Sequence, residues 1–171
     1  MGDLAKDLAE VYALSGDPAD AEAVKEILLR FATVYPTWLV HVGYGEYADM
    51  DPGAAAENIN SLPQDEAVYP PNRPNRKLES GYWHAGRARS EGMEGDFVKA
   101  VATAYDLTKN ATQADGQPVY SEADRLRIEK DLLLESTKLL VADSDINNKS
   151  ITNRSAAGIV GMVVGEPDLV R

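Results

Sequence analysis

Between residues 61 and 92 the chain cannot sustain regular secondary structure. Pro63, Pro70, Pro71 and Pro74, with Asn72 and Asn75 among them, remove backbone donors and fix φ too often for a helix or a central strand. The sequence is thereby divided into two blocks of helical pattern around a long irregular loop. A loop of that length inside a compact domain is functional or wraps a scaffold.

Ahead of the loop, Leu4, Leu8, Val11 and Tyr12 follow helical spacing and predict a helix over about residues 3–15. Gly16 then offers a left-handed stop, and Asp17-Pro18 an N-cap and first position for a second helix, about 18–35. That helix carries Val24, Ile27, Leu28 and Phe31 and is limited by Pro36, and a short helix at about 52–60 follows Asp51-Pro52. Past the loop, Phe97, Val98, Val101, Ala102 and Tyr105 predict a helix over about 94–108. Ser121 with Asp124 reads as a capping box opening a long helix, about 121–142, through Leu126, Leu133 and Leu140. A last helix, about 152–164, is rich in small residues: Ala156, Ala157, Gly158 and Gly161.

A weak repeat links the ends. Leu14-Ser15-Gly16-Asp17-Pro18 resembles Val163-Val164-Gly165-Glu166-Pro167, and Val11 to Ser15 resembles Ala104 to Thr108. The spacing is too uneven for a regular solenoid. The expected fold class is all-α: helical hairpins forming part of an incomplete α/α toroid, in one partial domain over residues 1–171.

A formal charge of -11 argues against nucleic acid or an anionic membrane surface as a bulk partner. Without cysteine there is no disulfide framework, thiol nucleophile or thiolate metal site. No stretch has the length of a membrane span, so membrane insertion is not expected, and Met1 to Lys6 does not read as a signal peptide.

The acidic balance hides a local exception. Arg73, Arg76, Lys77, Arg87 and Arg89 face the single acid Glu79 between residues 72 and 89, beside Tyr82, Trp83 and His84. Cations that fork onto carboxylates or sulfates, next to aromatic faces that stack on sugar rings, suit an acidic polysaccharide. The same residues also fit a solvated loop anchored by Tyr82 and Trp83. His84 fits a general base or substrate donor, or an ordinary hydrogen-bonding loop residue. His41 reads as a packing residue, and two isolated histidines without ligand spacing give no metal site. Asn147 and Asn148 are neutral amides able to donate to a carboxylate, or simply caps and turn formers. There is no nucleophile elbow, phosphate loop or dinucleotide fingerprint, and no cofactor is implied.

Four segments, in order, resemble the helical domain of heparinase II/III-like polysaccharide lyases, a group related to alginate lyases. They are Ala9 to Asp17, Tyr82-Trp83-His84-Ala85-Gly86-Arg87, Glu94 to Phe97 with Ala104 to Thr108, and Asn147-Asn148-Lys149 through Gly165 to Val170. The resemblance implies an incomplete α/α toroid followed by β-sheet domains, and β-elimination on a uronic-acid polymer. It implies that an asparagine, matched by position to Asn147 or Asn148, neutralises the substrate carboxylate and that a tyrosine or histidine handles the protons; His84 is the candidate in this chain. Tyr82, Trp83, Arg76, Arg87, Arg89 and Lys149 are the expected substrate contacts. Where many relatives follow the asparagine with a histidine and then an aromatic, this chain has Lys149 and Ile151. The family's tyrosine and sheet-domain histidine would fall past Arg171. The chain is therefore expected to be an inactive piece of a secreted or periplasmic lyase. The other reading is a non-catalytic helical carbohydrate-binding or scaffold module.

Overall fold

The computed structural model describes residues 1–40, 49–58, 86–89, 93–142 and 148–170, and these are overwhelmingly helical. The α-helices are α1 (Gly2–Ser15), α2 (Pro18–Val34), α3 (Pro52–Asn58), α4 (Glu94–Thr108), α5 (Glu122–Ile128), α6 (Glu135–Ala142) and α7 (Asn148–Val164). A π-helical stretch, Glu129–Leu134, joins α5 to α6, and short 3-10 turns follow α2 and α7. Among the described residues no strand forms; β-type pairing is confined to isolated bridges at Val40–Met50 and Thr112–Pro118. None of the described helices is long and apolar enough to cross a membrane.

Local chemistry explains the boundaries. Gly16 takes a left-handed conformation (φ 70°), and its N–H closes α1 on the Tyr12 carbonyl. One residue later the Asp17 side chain accepts from the Ala19 N–H, and Pro18 starts α2. The sequence repeat reproduces this geometry at the far end. Gly165 is also left-handed (φ 77°), the Glu166 N–H reaches the Gly161 carbonyl, and Pro167 starts a 3-10 turn. At α5 the Ser121 hydroxyl and the Asp124 carboxylate each accept the other's backbone N–H, a full capping box.

Polar contacts fix the directions of the helices. Gly95 at the start of α4 donates to the Asn153 amide oxygen on α7, and Lys109 just past α4 donates to the Val163 carbonyl near the end of α7. Those two helices therefore run parallel. The α2 helix runs the other way. Tyr35 at its C-terminus meets Glu94 at the start of α4, while Lys25, about midway along it, reaches the Val119 carbonyl past the end of α4. The α5–α6 unit also opposes α4, because Tyr105 bonds Glu129 near its beginning. Its later residue Glu135 meets Arg87, which is held beside the first residue of α4. The α1 helix lies against α4 with its start beside Phe97. Thus α1, α4 and α7 form a row of like-directed helices with α4 in the middle, and α2 and α5–α6 pack on it in the opposite sense.

One continuous core fills the space between them. It joins Val24 and Leu28 of α2, Phe97, Val101 and Tyr105 of α4, Leu132 and Leu133, and Ala156 and Val160 of α7. Val40, Ala55 and Leu139 form a small satellite cluster.

Three local expectations change. In α1 the buried face is Gly2, Ala5 and Ala9, whereas Leu4 and Val11 of the expected apolar stripe are roughly half exposed. Small residues win because they allow α1 to approach α4 closely; a Cβ on Gly2 would lie 2.9 Å from the Phe97 ring. Leu126 is 64% exposed although Leu133 and Leu140 are buried. In the intervening π stretch each residue advances by less than the ~100° of an α-helix, which rotates Leu126 off the face that holds the later leucines. Finally, α7 begins at Asn148, several residues before the apolar pattern starts, so Asn148 and Lys149 belong to the helix rather than to a lead-in.

Candidate functional site

The part of the basic segment that the structure describes, residues 86–89, is a turn seated against the start of α4. Glu94, the first residue of α4, builds it. Its Oε2 accepts the backbone N–H groups of Arg87, Ala88 and Arg89 at 3.0, 2.9 and 2.9 Å. Its Oε1 accepts the Tyr35 hydroxyl at 2.5 Å. A carboxylate that is 1% exposed needs such partners, because an unpaired buried charge is very costly. The position adds a favourable interaction with the N-terminal end of the helix dipole. Gly86 is required by space: a Cβ there would sit 1.7 Å from the Arg89 carbonyl oxygen.

Arg87 turns inward from this turn. Its Nε donates to the Trp38 carbonyl at 3.1 Å, one terminal nitrogen to the Tyr35 carbonyl at 2.6 Å, and the other to Glu135 Oε1 at 3.2 Å. The guanidinium carbon also lies 4.1 Å from the centre of the Tyr35 ring. Tyr35 in turn stacks on Phe97 with centroids 5.5 Å apart and meets Trp38 at 5.6 Å. Burial, then the nearby Glu94 charge, pushes the Tyr35 phenol well above its ordinary range, so it remains a proton donor to the carboxylate. Glu135 is shared with Lys138 at 2.5 Å.

Arg89 has the opposite environment. Its guanidinium meets Asp3 of α1 at 2.5 Å, with both side chains well exposed. Such a pair is weak and open to exchange with another anion.

On the other side of Glu94, the next residue connects to α7. The Gly95 N–H donates to Asn153 Oδ1 at 3.2 Å, and Asn153 is buried. The approach is close, since a Cβ on Gly95 would lie 2.9 Å from both that oxygen and the Thr152 carbonyl. Successive residues at the start of α4 therefore hold the 86–89 turn and the early part of α7. Asn148 lies five residues before Asn153, about 7.5 Å along the helix axis.

Among the expected site residues, Arg87 and Arg89 are brought to this hub, and Asn148 and Lys149 lie in the first turn of α7. Asn147, His84, Tyr82, Trp83, Arg76 and His41 lie outside the described residues. The guanidinium of Arg87, an expected substrate contact, is engaged on all three nitrogens inside the protein. Sequence reasoning missed Glu94, Tyr35, Glu135 and Asn153. Glu94 carried a signal, being an acid at a helix start soon after a run of cations; the other three carried none, since their partners are distant in sequence. Among the described residues no group of three or more histidine, aspartate or glutamate side chains is placed to hold a metal ion. No known protein family, curated protein or solved structure matches this chain.

Proposed function

We propose that this chain contributes part of the α/α toroid of a secreted or periplasmic polysaccharide lyase that cleaves a uronic-acid-containing polymer by β-elimination. The observation that carries the proposal is the convergence on α4. The described end of the segment resembling the lyase motif, at Arg87, and the helix that begins with the lyase-like asparagine are held by adjacent residues, Glu94 and Gly95. The alternation of helix direction, with α1, α4 and α7 opposed to α2 and α5–α6, supports hairpins arranged as in a toroid.

In this reading Asn147 or Asn148 donates to the uronate carboxylate and stabilises the charge that spreads into it as the C5 proton leaves. His84 assists proton transfer, Tyr82 and Trp83 stack on sugar rings, and Arg76, Arg89 and Lys149 meet the polymer's anions. Arg87 secures the turn that carries Arg89. The test is to follow the ultraviolet absorbance of unsaturated uronate with the full-length polypeptide on alginate, heparin, chondroitin and ulvan. A rise on one polymer, abolished by Asn147→Ala or Asn148→Ala, is expected; absence of a rise on all four would remove the lyase reading.

One observation favours a second reading, a non-catalytic helical carbohydrate-binding or scaffold module. Arg87, a central cation of the basic segment, is committed to holding the fold. Retention on alginate or heparin without any unsaturated product would select that reading.

A further inference from the structure

Three consecutive N–H groups converging on one buried carboxylate oxygen are more than a turn requires, and their arrangement assigns a role to a residue the sequence left unmarked. We infer that Glu94 is a positioning residue: it fixes the Arg87–Arg89 turn so that Arg89 is presented at the surface while Arg87 is held in the core. The inference rests on the polyanion reading above for its functional consequence, and on geometry alone for its structural one. Among the described residues, the backbone N–H groups of Arg87 and Arg89 are anchored by Glu94 Oε2 alone, at 3.0 and 2.9 Å. The carboxylate is itself aimed by the Tyr35 hydroxyl on its other oxygen, and Tyr35 is fixed between the aromatic cluster and the Arg87 guanidinium. The Arg87 side chain then closes the circuit by reaching Trp38, Tyr35 and Glu135, so the turn is fastened through backbone and side chain together. Arg89 inherits a defined origin, and only its outer end is free to exchange Asp3 for an external carboxylate or sulfate.

Glu94→Ala removes the acceptor, whereas Glu94→Gln preserves shape and leaves one neutral, weaker acceptor oxygen. Amide exchange in this chain reads the clamp directly. In Glu94→Ala the amides of Arg87, Ala88 and Arg89 should exchange at least about tenfold faster, with Glu94→Gln intermediate, while those of Val24 and Leu28 in α2 stay protected. Salt-dependent retention on immobilised alginate and heparin reads the consequence, and both variants should elute at lower salt than the parent chain, Ala before Gln. Unchanged exchange at residues 87–89 in Glu94→Ala would overturn the clamp. Accelerated exchange with unchanged retention would overturn the positioning role and leave the polyanion reading standing. If the parent chain is not retained at all, the polyanion reading falls, and amide exchange still decides whether Glu94 holds the turn. Should Glu94→Ala fail to fold, Tyr35→Phe serves instead: it frees only the other carboxylate oxygen, and an exchange increase at residues 87–89 smaller than in Glu94→Gln is expected.

Discussion

Arg87 and Arg89 stand two residues apart on one turn, yet they occupy different media. Arg87 is inside, with its guanidinium on the backbone carbonyls of Trp38, Tyr35 and Glu135, the Glu135 carboxylate and the Tyr35 ring. Arg89 is outside, paired with an exposed Asp3. The chemistry of the side chains is identical, so the difference in what they do comes entirely from dielectric and packing. Removing one partner of a buried pair strands the other and costs about 3–5 kcal/mol, whereas an exposed pair contributes about 0–1 kcal/mol. A single turn thus joins a structural cation to one available for exchange.

That contrast can be broken most forcefully from the inside. Arg87→Ala is expected to destabilise the protein by about 3 kcal/mol, the lower end of the buried-pair range because Glu135 retains Lys138, as read by urea unfolding. Arg87→Lys should recover little, since an ammonium cannot serve three directions at once. If Arg87→Ala is no more destabilising than Arg89→Ala, the inside–outside distinction fails.

Next comes the seam that ties the turn's anchor to α7. Gly95→Ala places a methyl 2.9 Å from Asn153 Oδ1 and the Thr152 carbonyl and 3.1 Å from Asn153 Cα, and the last two are backbone atoms that cannot yield without moving α7. Overpacking costs about 1–3 kcal/mol, and the gain in helix propensity returns up to about 1, so a net loss of about 1–2 kcal/mol is expected from thermal melting. A rise in melting temperature would show that α7 is not held as tightly as the contact implies.

Alkaline titration sharpens the same comparison on a smaller scale. Burial is the chief cause that raises the phenols of Tyr35, Tyr105 and Tyr120, the last to about 12. In the unfolded chain these groups ionise near 10, so the native state retains protons that the unfolded state releases. Their contribution is complete below about pH 10 and is lost as pH rises toward the native values, at no more than about 1.4 kcal/mol per pH unit for each group. Urea midpoints should therefore be flat with respect to these tyrosines below pH 10 and fall between pH 10 and about 12, with Tyr120→Phe reducing the slope. An unaltered slope in that variant would mean that Tyr120 is not the group responsible.

The smallest effects lie at the rim. Arg89→Ala and Asp3→Asn should each change stability by less than about 1 kcal/mol. They should move retention on alginate at low salt in opposite directions, Arg89→Ala weakening it and Asp3→Asn strengthening it by freeing the guanidinium. Parallel movement would remove Asp3 as the resting counter-ion.

The helical architecture was written locally and could be read that way. Gly16-Asp17-Pro18 and Ser121 with Asp124 specify helix ends within a few residues, through left-handed glycine, side-chain acceptors and proline geometry. The apolar spacing of Val24, Leu28, Val98, Val101 and Tyr105 marks faces that the core uses. Elsewhere, local pattern misled. Leu4 and Val11 outrank alanine in hydrophobicity, but the α1–α4 seam selects for closeness and buries Ala5 and Ala9. The heptad of Leu126, Leu133 and Leu140 assumes uniform winding, which the π stretch between Glu129 and Leu134 interrupts.

The candidate site was only half legible for a related reason. The sequence marked a run of cations and an amide-rich helix start, because residue type and order are local information. It could not choose which arginine would be buried, or supply Glu94, Tyr35 and Glu135 as the groups around it. Burial and pairing depend on which helices meet, and those meetings join residues far apart in the chain, 59 positions for Tyr35 and Glu94 and 94 for Lys25 and Val119. By itself the sequence determined the helical class, the helix ends marked by Gly16-Asp17-Pro18 and Ser121 with Asp124, and the charge. Tertiary packing decided that Arg87 is a strut and Arg89 a surface cation, since only packing removes water from one guanidinium and leaves it around the other.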